Sequence, residues 1–233
     1  MQLKETLTTI DTYDNISEAD LDTQFNQPLD SSHLGKFIDL LHGKLILDAG
    51  CGPGRNSKYF QGLGYEVTGI DASKTAIESA KKRVPGVTFY KMDILNLAFK
   101  SRHFDGVWCN ATFLHVPKEH ARAALQSLRN VLKEGGVLFL SLKYGKKKPG
   151  YETETYGRPR YESYYSEAEI QDLLIKNGFE ILKAETGTEA ETGAETTGTG
   201  TTGTDTTGTD TTNTGHVNPK QKWLYVYARR HTE

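Results

Sequence analysis

Residues 44–71 read KLILDAGCGPGRNSKYFQGLGYEVTGID, and their pattern decides the fold. The run 44–48 is short, apolar and closed by Asp48, as a buried strand is when it enters a turn. Glycines follow at 50, 52 and 54. A strand-to-helix turn rich in glycine tolerates positive φ and lets a ligand come up against bare backbone. Residues 54–63 then read as a helix, with Gly64 as its stop, and 65–71 as a second strand that again ends in an acid, Asp71. Strand, helix and strand in so short a span predict a βαβ unit.

The alternation continues downstream. Ser73 can cap a helix carrying Ala76, Ile77 and Ala80, which Pro85–Gly86 breaks. Residues 87–93 read as a third strand ending in Asp93, and 104–111 as a fourth. Pro117 opens a helix in which Ala121, Ala124, Leu125, Leu128 and Leu132 recur at helical spacing, expected to end at Gly135–Gly136. A fifth strand spans 137–144. Ser166 and Glu169 form a capping-box pattern before Ile170, Leu173 and Leu174, and Asn177–Gly178 closes that helix. Residues 179–186 and 222–230 are two further strands. This order predicts an α/β protein with a parallel, doubly wound sheet. Between the last two strands, 187–217 is rich in Thr and Gly and repeats TTGTD at 201–210, so a disordered insertion is expected. Long loops cost little closure entropy, so one domain over 1–233 is expected.

Composition excludes several classes. The net charge of −2 gives no footprint for nucleic acid or an anionic membrane. No apolar run approaches the roughly 18–20 residues that span a bilayer. Residues 1–15 are polar and lack the apolar region of a signal peptide. Cys51 and Cys109 have no metal-site spacing. A reduced, cytoplasmic protein without metal is the expectation.

In an open α/β sheet the C-terminal strand ends face the ligand crevice, so Asp48, Asp71 and Asp93 should line one site. A carboxylate where Asp71 stands can accept both hydrogen bonds of a ribose diol. Asp93 could accept from an adenine amino group. Asp48 at the head of the glycine loop suits a ligand bearing an ammonium and a sulfonium. The dinucleotide fingerprint G-x-G-x-x-G fails here, because Arg55 stands where its last glycine would fall.

LDAGCGPGR followed by VTGID resembles motifs I and II of the class I S-adenosylmethionine-dependent methyltransferases. KMDI, FDGVWCNATFLHV and LKEGGVLFLSLK resemble that superfamily's third and fourth strand motifs and its turn into strand five. The bacterial small-molecule type is most similar: an N-terminal helix with Tyr13–Asp14, an L-H-V-P step at 114–117, R-Y-x-x-Y-Y-S at 160–166 and W-L at 223–224. The resemblance implies a Rossmann-like, mostly parallel seven-stranded sheet with an antiparallel last strand, and 1–42 as an N-terminal helical cap. It implies S-adenosylmethionine as cofactor and in-line methyl transfer to a small-molecule acceptor, by a monomer or homodimer. A methyltransferase acting on RNA or protein, or a non-catalytic cofactor-binding module, are the alternatives.

By position, Gly50 and Gly52 would meet the methionyl part, with Asp48 near its ammonium and Tyr13 closing over its carboxylate. Asp71 would hold the ribose, Ala72 would lie beside the adenine, and Asp93 and Ile94 would frame its edge. Cys109 and Asn110 would face the sulfonium and methyl. His115, just after strand four, is the candidate base. Arg160, Tyr161, Tyr164 and Tyr165 would cover the acceptor side. Lys143 and Lys146 to Lys148 read as a solvated loop or a phosphate site, and Trp108 and Trp223 as core.

Overall fold

The protein is described by a computed structural model over residues 3–153, 155–188 and 221–232. Its sheet is centred on β1 (Leu45–Ala49), flanked by β2 (Glu66–Asp71) and β3 (Thr88–Lys91) on one side and β4 (Phe104–Cys109) and β5 (Leu132–Tyr144) on the other. Beyond β5 come β10 (Lys222–Arg230) and then β9 (Phe179–Thr188), giving the order β3-β2-β1-β4-β5-β10-β9. β10 runs antiparallel to both of its neighbours, while β1 to β5 pair in parallel. The α/β architecture and the reversed last strand are as expected, and that strand lies inside the sheet rather than at its edge.

Helices α4 (Arg55–Gly62), α5 (Lys74–Arg83) and α6 (Lys118–Val131) connect the parallel strands. Covered on both faces, the central strands are apolar throughout: Ile46, Leu47, Val107, Leu138, Phe139 and Leu140 are fully buried. Trp108 of β4 stacks on Phe139 of β5, rings 3.8 Å apart and 7° from parallel, which confirms Trp108 as core.

The helix expected to run to Gly135–Gly136 instead stops at Val131. Leu132 turns extended and buries its side chain against the sheet, paired with Phe104. Nη1 of Arg230 donates to the carbonyls of Arg129 and Leu132, at 2.9 and 2.7 Å, and so caps the helix end from another strand. Only the folded chain brings Arg230 there, so local sequence could not place this boundary. β9 likewise runs two residues into the Thr/Gly tract, with Gly187 and Thr188 paired to Trp223 and Lys222. The rest of the expected insertion, from 189 onward, lies outside the described residues.

The N-terminal cap consists of α1 (Lys4–Asp14), α2 (Glu18–Asn26) and α3 (Ser31–Asp39). α1 docks through polar contacts. Thr12 Oγ1 donates to the Pro159 carbonyl at 2.7 Å, and the Tyr161 N–H donates to Thr9 Oγ1 at 2.9 Å. Asp14 accepts from Ser73 Oγ at 2.7 Å, latching α1 onto the start of α5. Among the described residues no helix is long and apolar enough to cross a membrane.

Candidate active site

A cavity of about 1000 Å³ opens at the C-terminal ends of β1, β2 and β4, roofed by α1. Its first wall is the glycine loop. Gly50 and Cys51 both donate their N–H to the Ile70 carbonyl at 2.8 Å, which pins the loop to β2. Gly50 sits at φ +86, and a Cβ there would lie 1.8 Å from Thr112 Oγ1. Only glycine fits.

Asp71 closes the loop from the other side. Its Oδ2 accepts from the Gly52 N–H at 3.0 Å and its Oδ1 from the Ser73 N–H at 2.8 Å. Each oxygen keeps a lone pair for a ligand. Burial pushes its pKa up, opposed by the backbone donors. Ala72, Asp93 and Ile94 line the same cavity, and Asp93 steadies its turn by accepting from the Leu95 N–H at 2.9 Å.

Asp48 and Cys109 lie behind this wall rather than on it. Asp48 is buried and accepts from Ser57 Oγ at 2.6 Å. Burial raises its pKa to about 7, opposed by that hydrogen bond. Burial likewise pushes the Cys109 thiol up to about 12.

At the end of β4, Asn110, Ala111 and Ser141 form one unit. Ser141 Oγ accepts from the Ala111 N–H at 2.8 Å and donates to Asn110 Oδ1 at 2.7 Å. This orients the Asn110 amide and leaves its N–H donors for the cavity, which Asn110 lines. Ala111 is held at φ +50, a costly conformation for a residue with a side chain. Ser141 escaped the sequence reading, although a lone hydroxyl in the buried run VLFLSL was its signal. Ser141→Ala is expected to lower stability by about 1–3 kcal/mol by leaving a buried N–H and amide oxygen unpaired. A shift of the urea midpoint at constant slope would register it.

His115 ends a short 3₁₀ turn, Phe113–His115. Its Nδ1 lies 2.7 Å from the Tyr161 carbonyl, which can only accept, so Nδ1 carries the proton. Its Nε2, 3.1 Å from the Tyr13 oxygen, therefore accepts from the Tyr13 hydroxyl. That oxygen in turn accepts from Arg160 Nη1 at 3.0 Å. Burial first, and Arg160 second, pull the His115 pKa down to about 4. The imidazole is thus neutral, and its basic nitrogen is occupied by the Tyr13 hydroxyl.

Arg160 and Glu162, at alternate positions of β7 (Arg160–Glu162), line the cavity, while Tyr161 between them faces Tyr151. Likewise in β8 (Tyr164–Tyr165), Tyr164 lines the cavity and Tyr165 is buried away from it. Of the residues expected from sequence on the acceptor side, Arg160 and Tyr164 line the cavity and Tyr161 and Tyr165 do not. Glu162, which carried no signal in the sequence, also lines it, and Trp223 is a core residue as expected that lines the cavity as well. Lys146, Lys147 and Lys148 are all exposed, and Lys147 pairs with Glu152.

Asp48 and His115 make opposed contributions to stability. Asp48 titrates near 7 when folded against an ordinary 3.8, so its contribution is full at low pH and is lost as pH rises through 7. His115 titrates near 4 against an ordinary 6.5, so its contribution is present above 6.5 and is lost as pH falls. Between about pH 4.5 and 6 the two slopes offset. Relative to wild type, Asp48→Asn should add about +1.4 kcal/mol per pH unit to the slope there, and His115→Gln about −1.4. Urea titrations across that window test this; parallel curves for all three proteins would refute both assignments.

Residues 46–136 match the methyltransferase domain family. The ubiquinone biosynthesis O-methyltransferase of Glaesserella parasuis serovar 5 is 34% identical over 123 residues, covering 49% of this chain and 51% of that protein. The malonyl-[acyl-carrier protein] O-methyltransferase of Enterobacter lignolyticus is 36% identical over 93 residues, covering 40% of this chain and 36% of the relative. The chain thus spans about half or less of the length of these relatives. The fold is similar to that of the Burkholderia thailandensis 1,6-didemethyltoxoflavin-N1-methyltransferase, with a TM-score of 0.65 at 18% identity over 100% of this chain and 92% of that one. That structure holds 1,6-didemethyltoxoflavin and S-adenosylhomocysteine.

Proposed function

We propose that this chain, which belongs to the class I S-adenosylmethionine-dependent methyltransferase superfamily, transfers a methyl group from that cofactor to a small-molecule acceptor by in-line displacement. The observation that carries the reading is one cavity joining a glycine loop, where a Cβ would clash, to a half-buried carboxylate with a free lone pair on each oxygen. The donor set fits the cofactor. Asp71 offers two acceptors to a ribose diol and Asp93 one to an adenine amino group, while Gly50 and Gly52 leave backbone bare for the methionyl part. The Asp71 carboxylate in the cavity wall suits a ligand that carries positive charge. When bound, the cofactor supplies an electrophilic methyl on a sulfonium whose leaving group is a neutral thioether.

The chain's own residues then bind, orient and exclude water. Ile10, Tyr13 and Ile16 of the N-terminal cap cover the cavity, and Asn110 presents its amide donors beside it. Holding the acceptor in line near 3 Å from the methyl accounts for several kcal/mol of the barrier without any protein nucleophile. With His115 neutral and capped by Tyr13, the site suits an acceptor that needs no strong base. Cys51 and Cys109 are free and buried, which suits a reducing, cytoplasmic setting. The reading takes 1–233 as one domain, acting as a monomer or homodimer without nucleic acid.

The test is incubation with methyl-labelled cofactor and fractionated cell extract, counting label in small-molecule, RNA and protein pools. Label in the small-molecule pool is expected. Label confined to RNA or protein would overturn the acceptor class, and none at all, with cofactor bound, would leave a binding module.

A further inference from the structure

Away from the glycine loop, the cavity wall gathers two cations about one buried carboxylate. Lys143 Nζ lies 2.5 Å from Glu162 Oε2, and Arg160 Nη2 lies 3.3 Å from Glu162 Oε1, so one buried carboxylate serves two cations. Lys147 has its own partner in Glu152. Asp30, which also lines the cavity, turns its carboxylate to the backbone N–H of His33 at 3.2 Å and to that residue's ring at 3.6 Å. The wall as a whole is balanced, but at its Arg160 end two cations share the single carboxylate of Glu162.

Among the described residues, the same wall holds two buried donors with no hydrogen-bond partner, Nε of Arg160 and Nε1 of Trp223, each on a residue only 9% exposed, and one such acceptor, Oε1 of Glu162, which faces Arg160 Nη2. Arg160 otherwise donates to Tyr13 and to Thr155 Oγ1, and its guanidinium lies 5.2 Å from the Tyr156 ring centre. Unmade donors in a buried wall are costly unless a ligand brings acceptors to them. A planar guanidinium is matched by the two oxygens of a carboxylate or a similar oxyanion. The indole of Trp223, whose backbone pairs with Lys143, offers a flat apolar surface on the same wall.

We propose that the methyl acceptor is an anion: a carboxylate or equally compact oxyanion, held by Arg160 and Lys143, on a flat body that lies against Trp223. This rests on the methyl-transfer reading above and names the substrate class of the same site. An acceptor that arrives ionised also accounts for a site whose one histidine is spent on Tyr13 and a backbone carbonyl.

The experiment is a calorimetric titration of the full chain, saturated with S-adenosylhomocysteine, with three matched probes: 2-naphthoate, 2-naphthamide and 2-naphthylmethylammonium. The naphthoate is expected to bind at least about tenfold more tightly than the amide, and the ammonium to show no binding. Arg160→Gln should remove the preference for the carboxylate and Arg160→Lys should keep part of it. Lys143→Gln, which should weaken naphthoate selectively, serves if the arginine variants fail to fold. Saturation by S-adenosylhomocysteine with equal binding of acid and amide, or of neither, overturns the anionic acceptor and leaves methyl transfer standing. Failure of S-adenosylhomocysteine itself to bind overturns both.

Discussion

Alanine in place of Asp71 is expected to weaken S-adenosylhomocysteine binding by at least about a hundredfold, measured by calorimetry at neutral pH. Two losses combine. The ligand loses a charge-assisted contact to its diol, ordinarily about 1.5–3 kcal/mol. The glycine loop loses its tie, because the same carboxylate holds the Gly52 and Ser73 N–H groups in place. Asp71→Asn should recover little. An amide presents an N–H₂ group where one of those two backbone donors needs an acceptor. Affinity within about threefold of wild type would remove Asp71 from the cofactor site.

Gly50→Ala should be the most damaging single methyl in the molecule. The added carbon meets Thr112 Oγ1 at 1.8 Å and its Cβ at 2.7 Å, on backbone at φ +86. Overpacking costs about 1–3 kcal/mol and left-handed backbone strain about another 1–3. A stability loss of about 2–6 kcal/mol in urea, with cofactor binding abolished, is the expected result. Thr112→Ala should restore only part of it, since the threonine Cβ is itself too close. A Gly50→Ala protein as stable as wild type would mean that the β4 end yields freely, against the bonding that ties Asn110, Ala111 and Ser141 together.

What could be read from sequence divides by distance along the chain. The glycine loop and the acids at 71 and 93 are local: strand, turn and acid are neighbours, and topology alone places strand ends at a crevice. Their arrangement was therefore legible. Side-chain direction was not. Asp48 shares its strand end with the loop yet points to Ser57, and Cys109 packs behind the wall. The link from Arg160 through Tyr13 to His115 joins residues more than a hundred positions apart and left no local trace. The face of β7 that meets the cavity was equally hidden, because a three-residue strand is too short to show an alternation.

The place of β10 in the sheet sets an order of events during synthesis. β9 leaves the ribosome before the strand that joins it to β5, so it has no partner in this sheet until residues 222–230 follow. Until then a nascent chain carries β1 to β5 with one flank of the sheet uncovered, and Trp223 and Tyr225 are missing from the cavity. Arg230, which caps α6, comes only at the end of β10. Premature termination anywhere before residue 222 would therefore leave the glycine loop intact in sequence but without the aromatic wall across from it. It would also leave the β5 edge unpaired along the length that β10 occupies, an open template for aggregation.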